Sequence, residues 1–204
     1  NSDIHENAFW EGQAFMGARE EMCAEDGTRN FAVDTTRDRV QTGSTHRHHI
    51  QKIAPERARE MHRAVTRVLI ERAQRESKLC DEVTVAIDIT KSNPYRTKKK
   101  IERDDDGNVT NPWLMGYRED EDESAEFYFQ WATIQIVGLD TPLVLDALPV
   151  YRGLSRQAIV DALLASATEL VDVELVLMDR AFAHDGAKAA CEKHDVWYLV
   201  PGMM

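Results

Sequence analysis

The chain has 204 residues, 43% of them hydrophobic, and a net charge of −11. This length allows one domain of ordinary size and a smaller appendage. No apolar run approaches the roughly 18–20 residues of a membrane-spanning helix, and no N-terminal segment resembles a signal peptide. We therefore expect a cytoplasmic protein with no membrane partner. Its three cysteines are far apart and form no CxxC pair, which argues against a zinc cluster built on cysteines.

The charged residues are unevenly distributed in type and position. Arginine outnumbers lysine by 17 to 8. An acidic, lysine-poor surface suits a protein that stays hydrated in concentrated salt, and this suggests a halophilic source. Residues 41–80 carry nine Lys/Arg and four Asp/Glu, a net of +5, whereas residues 101–126 carry two Arg and ten Asp/Glu, a net of −8. The first segment suits contact with phosphate, and the second would be repelled by it.

Residues 1–80 are predicted to form a mostly helical N-terminal region that binds DNA or mediates dimerisation. Residues 7–25 have a helical spacing of apolar residues, and residues 27–49 have the Thr, Gly and charge content of a loop or linker. Pro55 begins an amphipathic helix that we expect to run to about Leu79. The histidines before it lack the i, i+4 spacing of a zinc helix, which makes a metal site there the weaker interpretation; they are His46, His48 and His49.

From residue 82 onward, short β-branched runs predict strands. They are EVTVAIDIT, EFYFQWATIQIVG, TPLVLDALPVYRG, VELVLMDRAF and VWYLVPGM, with helices predicted at SRQAIVDALLASATEL and HDGAKAACEKH. The first run is typical of a buried strand, and Ser155 is a suitable N-cap for the first of these helices. The resulting order, β-β-β-α-β-α-β, predicts an α/β fold with a mixed sheet flanked by helices over residues 81–204.

Two acids occupy chemically informative positions in these strands. Asp88 lies near the end of the first strand and Asp179 at the end of the fourth. In this topology the fourth strand can lie parallel to and beside the first, so that both carboxylates meet at one sheet edge. Such a pair suits divalent metal and phosphodiester chemistry. The alternative for either aspartate alone is a cap of the following turn.

The motifs VAIDIT, Asn93-Pro94-Tyr95, the hairpin FQWATIQIVGLDTPLVLDALPV and LVLMDRAFAHDGAKAACEKHDVWYLVPG resemble those of DDE transposases of bacterial and archaeal insertion sequences. With the acidic composition, this resemblance suggests a haloarchaeal source. It implies a ribonuclease H-like fold with Asp88 and Asp179 as catalytic, metal-binding acids. It also implies Mg²⁺ or Mn²⁺ as cofactor, with two ions expected, and double-stranded DNA (transposon ends and target) as partner of a homo-oligomer.

The third acid of that family, a Glu on a helix after the fifth strand, has no counterpart before Met204. We therefore expect a C-terminally truncated transposase core. The alternatives are a ribonuclease H-like nuclease without strand transfer and an inactive DNA-binding remnant. Additional DNA contacts are predicted at Arg180, for which a surface salt bridge is the alternative, and at the basic run Lys98, Lys99 and Lys100, for which a solvated loop is the alternative. Asp140 and Asp146 are expected to serve turn or surface roles.

Overall fold

A computed structural model describes residues 6–19, 23–37, 39–79, 82–92, 103–107, 110–115, 128–139 and 143–202. The chain divides into two compact units, residues 1–58 and residues 59–204. The first four helices are α1 (Glu6–Gly17), α2 (Ala24–Asp34), α3 (Gly43–Ile50) and α4 (Pro55–Arg75). The remaining elements are β1 (Glu82–Ser92), β2 (Phe129–Ile136), β3 (Leu143–Val150), α5 (Arg156–Thr168), β4 (Asp172–Met178), a 3₁₀ turn (Arg180–Phe182), α6 (Asp185–Lys193) and β5 (Trp197–Leu199). Of the helices in these ranges, none is long and apolar enough to cross a membrane.

The prediction of a loop or linker over residues 27–49 is wrong, because α2 and α3 occupy most of that stretch. Helix α2 buries Thr28 and Phe31, and the Phe31 ring lies 5.4 Å from that of Phe15 on α1. Helix α3 begins after Thr42, whose side chain accepts a hydrogen bond from the backbone N–H of Thr45. Short helices with few apolar residues depend on such tertiary contacts rather than on propensity, so composition alone misidentified them.

The second unit is built on one mixed five-stranded sheet with the strand order β3-β2-β1-β4-β5. The β1–β2 and β2–β3 pairs are antiparallel, whereas β4 runs parallel to both β1 and β5. The element order along the chain matches the predicted β-β-β-α-β-α-β, and β4 lies beside β1 as expected. The predicted cap at Ser155 is confirmed, since its Oγ accepts from the N–H of Ala158 at 3.1 Å.

The two faces of the sheet differ in burial. On the covered face, Val83, Val85 and Ile87 of β1 are buried in a core that helix α5 shares. On the opposite face, none of the described strand residues is buried; β1 contributes Thr84, Ala86, Asp88 and Thr90 to it. We refer to this side as the open face. The sequence suggested a strand buried on both faces, but only one face of β1 is buried, because Thr84, Ala86, Asp88 and Thr90 are small or polar and lie on the open face.

The parallel pairing of β1 with β4 contains a β-bulge. Val83 pairs with Val173, but Thr84 pairs with Leu175, so Glu174 is an additional residue in β4. A bulge of this kind shifts the register by one residue and changes which side chains share a face. Beyond it, the pairing continues regularly to Ile87 and Met178.

Asp146 lies in β3 and is fully buried, so the expected turn or surface role is wrong. Its carboxylate accepts from Arg59 of α4, with Nε 3.1 and 3.0 Å from Oδ1 and Oδ2 and Nη2 2.6 Å from Oδ2. The backbone N–H of Ala147 also donates to Oδ1 at 2.8 Å. A buried carboxylate without such partners would be costly, and this pair fastens α4 to the sheet.

Candidate metal centre

Asp88 is the first exposed residue of β1 after three buried positions at Val83, Val85 and Ile87. It pairs with Thr133 of β2 and belongs to the open face. Its Oδ2 accepts a hydrogen bond from Thr90 Oγ1 at 3.2 Å. The local alternation of apolar and polar residues therefore fixes the side of the sheet on which this carboxylate lies.

Asp179 follows the last residue of β4 and begins the 3₁₀ turn. Its Oδ1 accepts a hydrogen bond from the N–H of Ala181 at 2.9 Å, so the aspartate serves as the cap that the alternative interpretation expected. The side chain is exposed, which leaves the carboxylate open to solvent. Phe182, at the end of the turn, is fully buried and anchors this conformation.

The register brings the two aspartates to corresponding positions of neighbouring strands. Ile87 pairs with Met178 in the parallel β1–β4 ladder, so Asp88 and Asp179 each occupy the next position along their strands. Asp179 directly follows β4, whereas Asp88 is four residues before the end of β1. Neighbouring strands lie about 4.8 Å apart. Ile87 and Met178 are both buried on the covered face, so alternation assigns both aspartates to the open face.

The chemistry of this pair fits a hard divalent cation. Carboxylate oxygens are the preferred ligands of Mg²⁺ and Mn²⁺, and Mg²⁺ commonly takes one or two protein carboxylates with water and phosphate oxygens. Because both side chains are exposed, neither pays a large desolvation penalty for its charge. Within the described ranges, no group of three or more His, Cys, Asp or Glu side chains is arranged to hold a metal ion.

Of the individual residues predicted to contact DNA, only Arg180 lies within the described part of the chain. Arg180 is exposed and directly follows Asp179. The basic run Lys98, Lys99 and Lys100 lies outside the described residues, as does the Asn93-Pro94-Tyr95 element.

His46 is a structural residue of the first unit. It is 3% exposed, with Nδ1 2.6 Å from Gln41 Nε2 and Nε2 2.7 Å from Gln13 Oε1, and its ring stacks on Phe9. Burial, and secondarily the charge of His49, lowers the pKa of His46 below its ordinary value. With both ring nitrogens engaged in hydrogen bonds, His46 is not a free metal ligand.

Aromatic residues near the aspartates were not identified from the sequence as site residues. Trp131 of β2 is on the open face, pairs with Thr90 and is 39% exposed. Tyr151 follows the end of β3, is 40% exposed and contacts the Trp113 ring in an edge-on geometry. The hairpin register could have identified Trp131, because alternation along β2 places Trp131 on the same face as Thr133, the partner of Asp88.

No family model and no curated protein matches the sequence. Among solved structures, the chain is similar to a Mos1 transposase paired-end complex with the left transposon end, at 13% identity and a TM-score of 0.33, covering 98% of this chain and 60% of that one. It is also similar to a Mos1 strand transfer complex, at 13% identity and a TM-score of 0.30, covering 99% and 60% of the respective chains. A Drosophila P element transposase strand transfer complex matches at 10% identity and a TM-score of 0.29, over 59% of this chain and 26% of that one.

The chain spans about 60% of the length of the Mos1 transposase chains it matches. Similarities at these TM-scores are too loose to assign residue roles.

Proposed function

We propose that residues 81–204 form the catalytic core of a DNA transposase with a ribonuclease H-like fold, and that Asp88 and Asp179 are its metal-binding acids. The observation that carries the proposal is the β1–β4 register, which aligns the two aspartates on the open face of neighbouring parallel strands, at the edge where β4 ends. Ligands of α/β sheets characteristically bind at this edge. The strand order β3-β2-β1-β4-β5 and the resemblance in VAIDIT and LVLMDRAF add support.

In this proposal the chain's own groups hold and orient the metal ligands. Thr90 donates to Asp88 and the N–H of Ala181 donates to Asp179, so each carboxylate keeps one oxygen oriented by a neighbour. We propose that Arg180, which is exposed and directly follows Asp179, contacts a substrate phosphate. When bound, divalent cations supply an activated water and stabilise the leaving oxygen of a phosphodiester.

The proposed reaction has two steps. Water first cleaves a phosphodiester at a transposon end, which leaves a 5′-phosphate and a free 3′-hydroxyl. That hydroxyl then attacks a phosphodiester of the target DNA, forms the new phosphodiester and releases a 3′-hydroxyl of the target strand. The substrate is double-stranded DNA, and the active form is a homo-oligomer. Residues 1–80, with the positively charged segment 41–80, bind DNA or a second subunit.

Binding of Mn²⁺, measured by electron paramagnetic resonance with Mg²⁺ as competitor, tests the metal site. Asp88→Asn and Asp179→Asn should each weaken binding at least about tenfold, because each removes a charged ligand. Asparagine at 179 can still accept from the N–H of Ala181, which preserves the cap. Asp172→Asn is the matched control, since Asp172 is an exposed acid at the opposite end of β4.

Activity is tested in the full-length protein, which is expected to carry the third acid, by nicking of supercoiled plasmid with Mg²⁺ and by joining of a transposon end to target DNA. Loss of both activities in the Asp88 and Asp179 variants, but not in Asp172→Asn, is the expected result. Undiminished cleavage by either variant would overturn the assignment. Nicking without joined product would instead identify a nuclease of the same architecture.

A further inference from the structure

We propose that Trp131, together with Tyr151 and Trp113, forms a stacking platform for unpaired bases of a DNA strand beside the aspartate pair. We call these three residues the aromatic platform. The inference rests on the proposed function, because DNA is the ligand it assumes. It adds a binding site for single-stranded nucleotides next to the reacting phosphodiester.

Trp131 lies within side-chain reach of the metal centre. Asp88 pairs directly with Thr133 on β2, and Trp131 is two residues before Thr133 on the same strand. It is therefore the diagonal neighbour of Asp88 on the open face, at a distance of about 7–8 Å, which aromatic side chains can span. A nucleotide whose phosphate lies at Asp88 would thus have its base, or that of the next nucleotide, near the indole ring.

The other two rings are held at the same end of the sheet. Trp131 pairs with Pro149 of β3, and Tyr151 lies two residues beyond Pro149. The Tyr151 and Trp113 rings have centroids 5.4 Å apart and planes at 79°. Arg152 fixes the Trp113 segment, since its N–H donates to Pro112 O at 2.9 Å and its Nε donates to Leu114 O at 3.0 Å. The platform is consequently built from braced residues rather than from a free loop.

The chemistry of this patch favours unpaired nucleotides over a duplex or a protein partner. An exposed indole stacks on the face of a base, and that face is available only when the base has left the helical stack. A cationic side chain for the phosphates is available beside the pair, because the exposed Arg180 directly follows Asp179. Aromatic rings alternating with cations are typical of single-strand binding surfaces.

The experiment measures binding of a labelled single strand of about 12 nucleotides with a central 2-aminopurine, with EDTA present throughout. Stacking on Trp131 should quench the 2-aminopurine, and Trp131→Ala should weaken binding about fivefold or more. Trp131→Phe should retain most of the affinity, because it keeps an aromatic face. Trp197→Ala is the matched control: Trp197 is 78% exposed on the same open face but lies on β5, where it pairs with Leu175 in the middle of β4.

Binding by Trp131→Ala equal to that of the unchanged chain, or no binding by the unchanged chain, would overturn the proposal. An equal loss in Trp197→Ala would also overturn it, because it would show general apolar adhesion. Thermal unfolding of each variant verifies that the fold is retained. Because EDTA removes metal, strand binding in this assay does not depend on the metal centre. Cleavage that survives Asp88→Asn refutes the proposed function. Unchanged strand binding by Trp131→Ala refutes only the aromatic platform.

Discussion

Removing Arg59 should destabilise the second unit more than removing any exposed arginine of α4. Asp146 is 0% exposed, and three of its hydrogen-bonded contacts, at 2.6–3.1 Å, come from the Arg59 guanidinium. In Arg59→Met the carboxylate keeps only the N–H of Ala147 among the donors described here. Leaving a buried charge without its partner costs about 3–5 kcal/mol.

We expect a value near the lower end, about 3 kcal/mol, for a structural reason. The Arg59 side chain is 22% exposed, so water can reach the Asp146 carboxylate once the guanidinium is gone. This loss is still a large fraction of the roughly 5–15 kcal/mol that stabilises an ordinary domain. The double variant Arg59→Met with Asp146→Leu removes both charges and should recover most of the loss.

The assay is urea unfolding followed by tryptophan fluorescence, since Trp113, Trp131 and Trp197 all belong to the second unit. The free energy of unfolding is obtained by linear extrapolation, and an unchanged slope shows that the unfolded state is comparable. Arg63→Met is the matched control, because Arg63 and its partner Glu169 are 34% and 56% exposed. Its effect should stay below about 1 kcal/mol.

The reasoning is refuted if Arg59→Met unfolds with the same free energy as Arg63→Met. It is also refuted if the double variant is less stable than Arg59→Met alone, because the buried charge would then not be the source of the loss. A double-mutant cycle separates the interaction of the two groups from their individual effects.

Two further predictions concern the first unit. Gly43→Ala should destabilise it, because an added Cβ would lie 2.5 Å from the Cα and N of Glu25, and these backbone atoms can shift little. Gly17→Ala is the control, since a Cβ at Gly17 meets nothing within 4 Å. Equal unfolding midpoints of the two variants would contradict the prediction. The stability of this unit should also fall as pH drops below about 6.5. The lowered pKa of buried His46 means that the folded state favours its neutral form. The contribution of His46 to the free energy of unfolding is therefore fully present above its unfolded pKa and is lost on acidification. Urea unfolding between about pH 5 and 8 measures this dependence, and a slope unchanged in His46→Gln would contradict it.

The strands and the aspartate pair could be predicted because their signals are local. Short β-branched runs indicate strands, and the chain order of strands and helices restricts where β4 can lie. Asp146 shows where this approach fails. VAIDIT and LVLDAL both contain one aspartate within an apolar run, yet Asp88 is exposed and Asp146 is buried. The difference depends on sheet register and on Arg59, 87 residues away, and neither is visible in a local pattern.

The helices of the first unit were missed for a related reason. Helix α3 has no apolar stripe of its own, and Gly43 lets its first turn approach the backbone of α2. Close backbone approach is a property of two segments together, so the glycine suggested a loop when considered alone. The aromatic platform likewise appears only when the hairpin register is known, because Trp131 and Asp88 are distant in sequence.

The bulge at Glu174 has a consequence for how this site can vary between related sequences. If the pairing upstream of the bulge continued without it, Asp88 would lie opposite Met178, and Asp179 would lie beside Ile89, whose alternation belongs to the covered face. The accommodation of Glu174 as a bulge, about 16 Å along the strand from Asp179, therefore decides whether the two carboxylates share a side of the sheet. Selection on β4 would then act on its length as well as on its acid, and a one-residue deletion between the bulge and Asp179 would be more damaging than most substitutions.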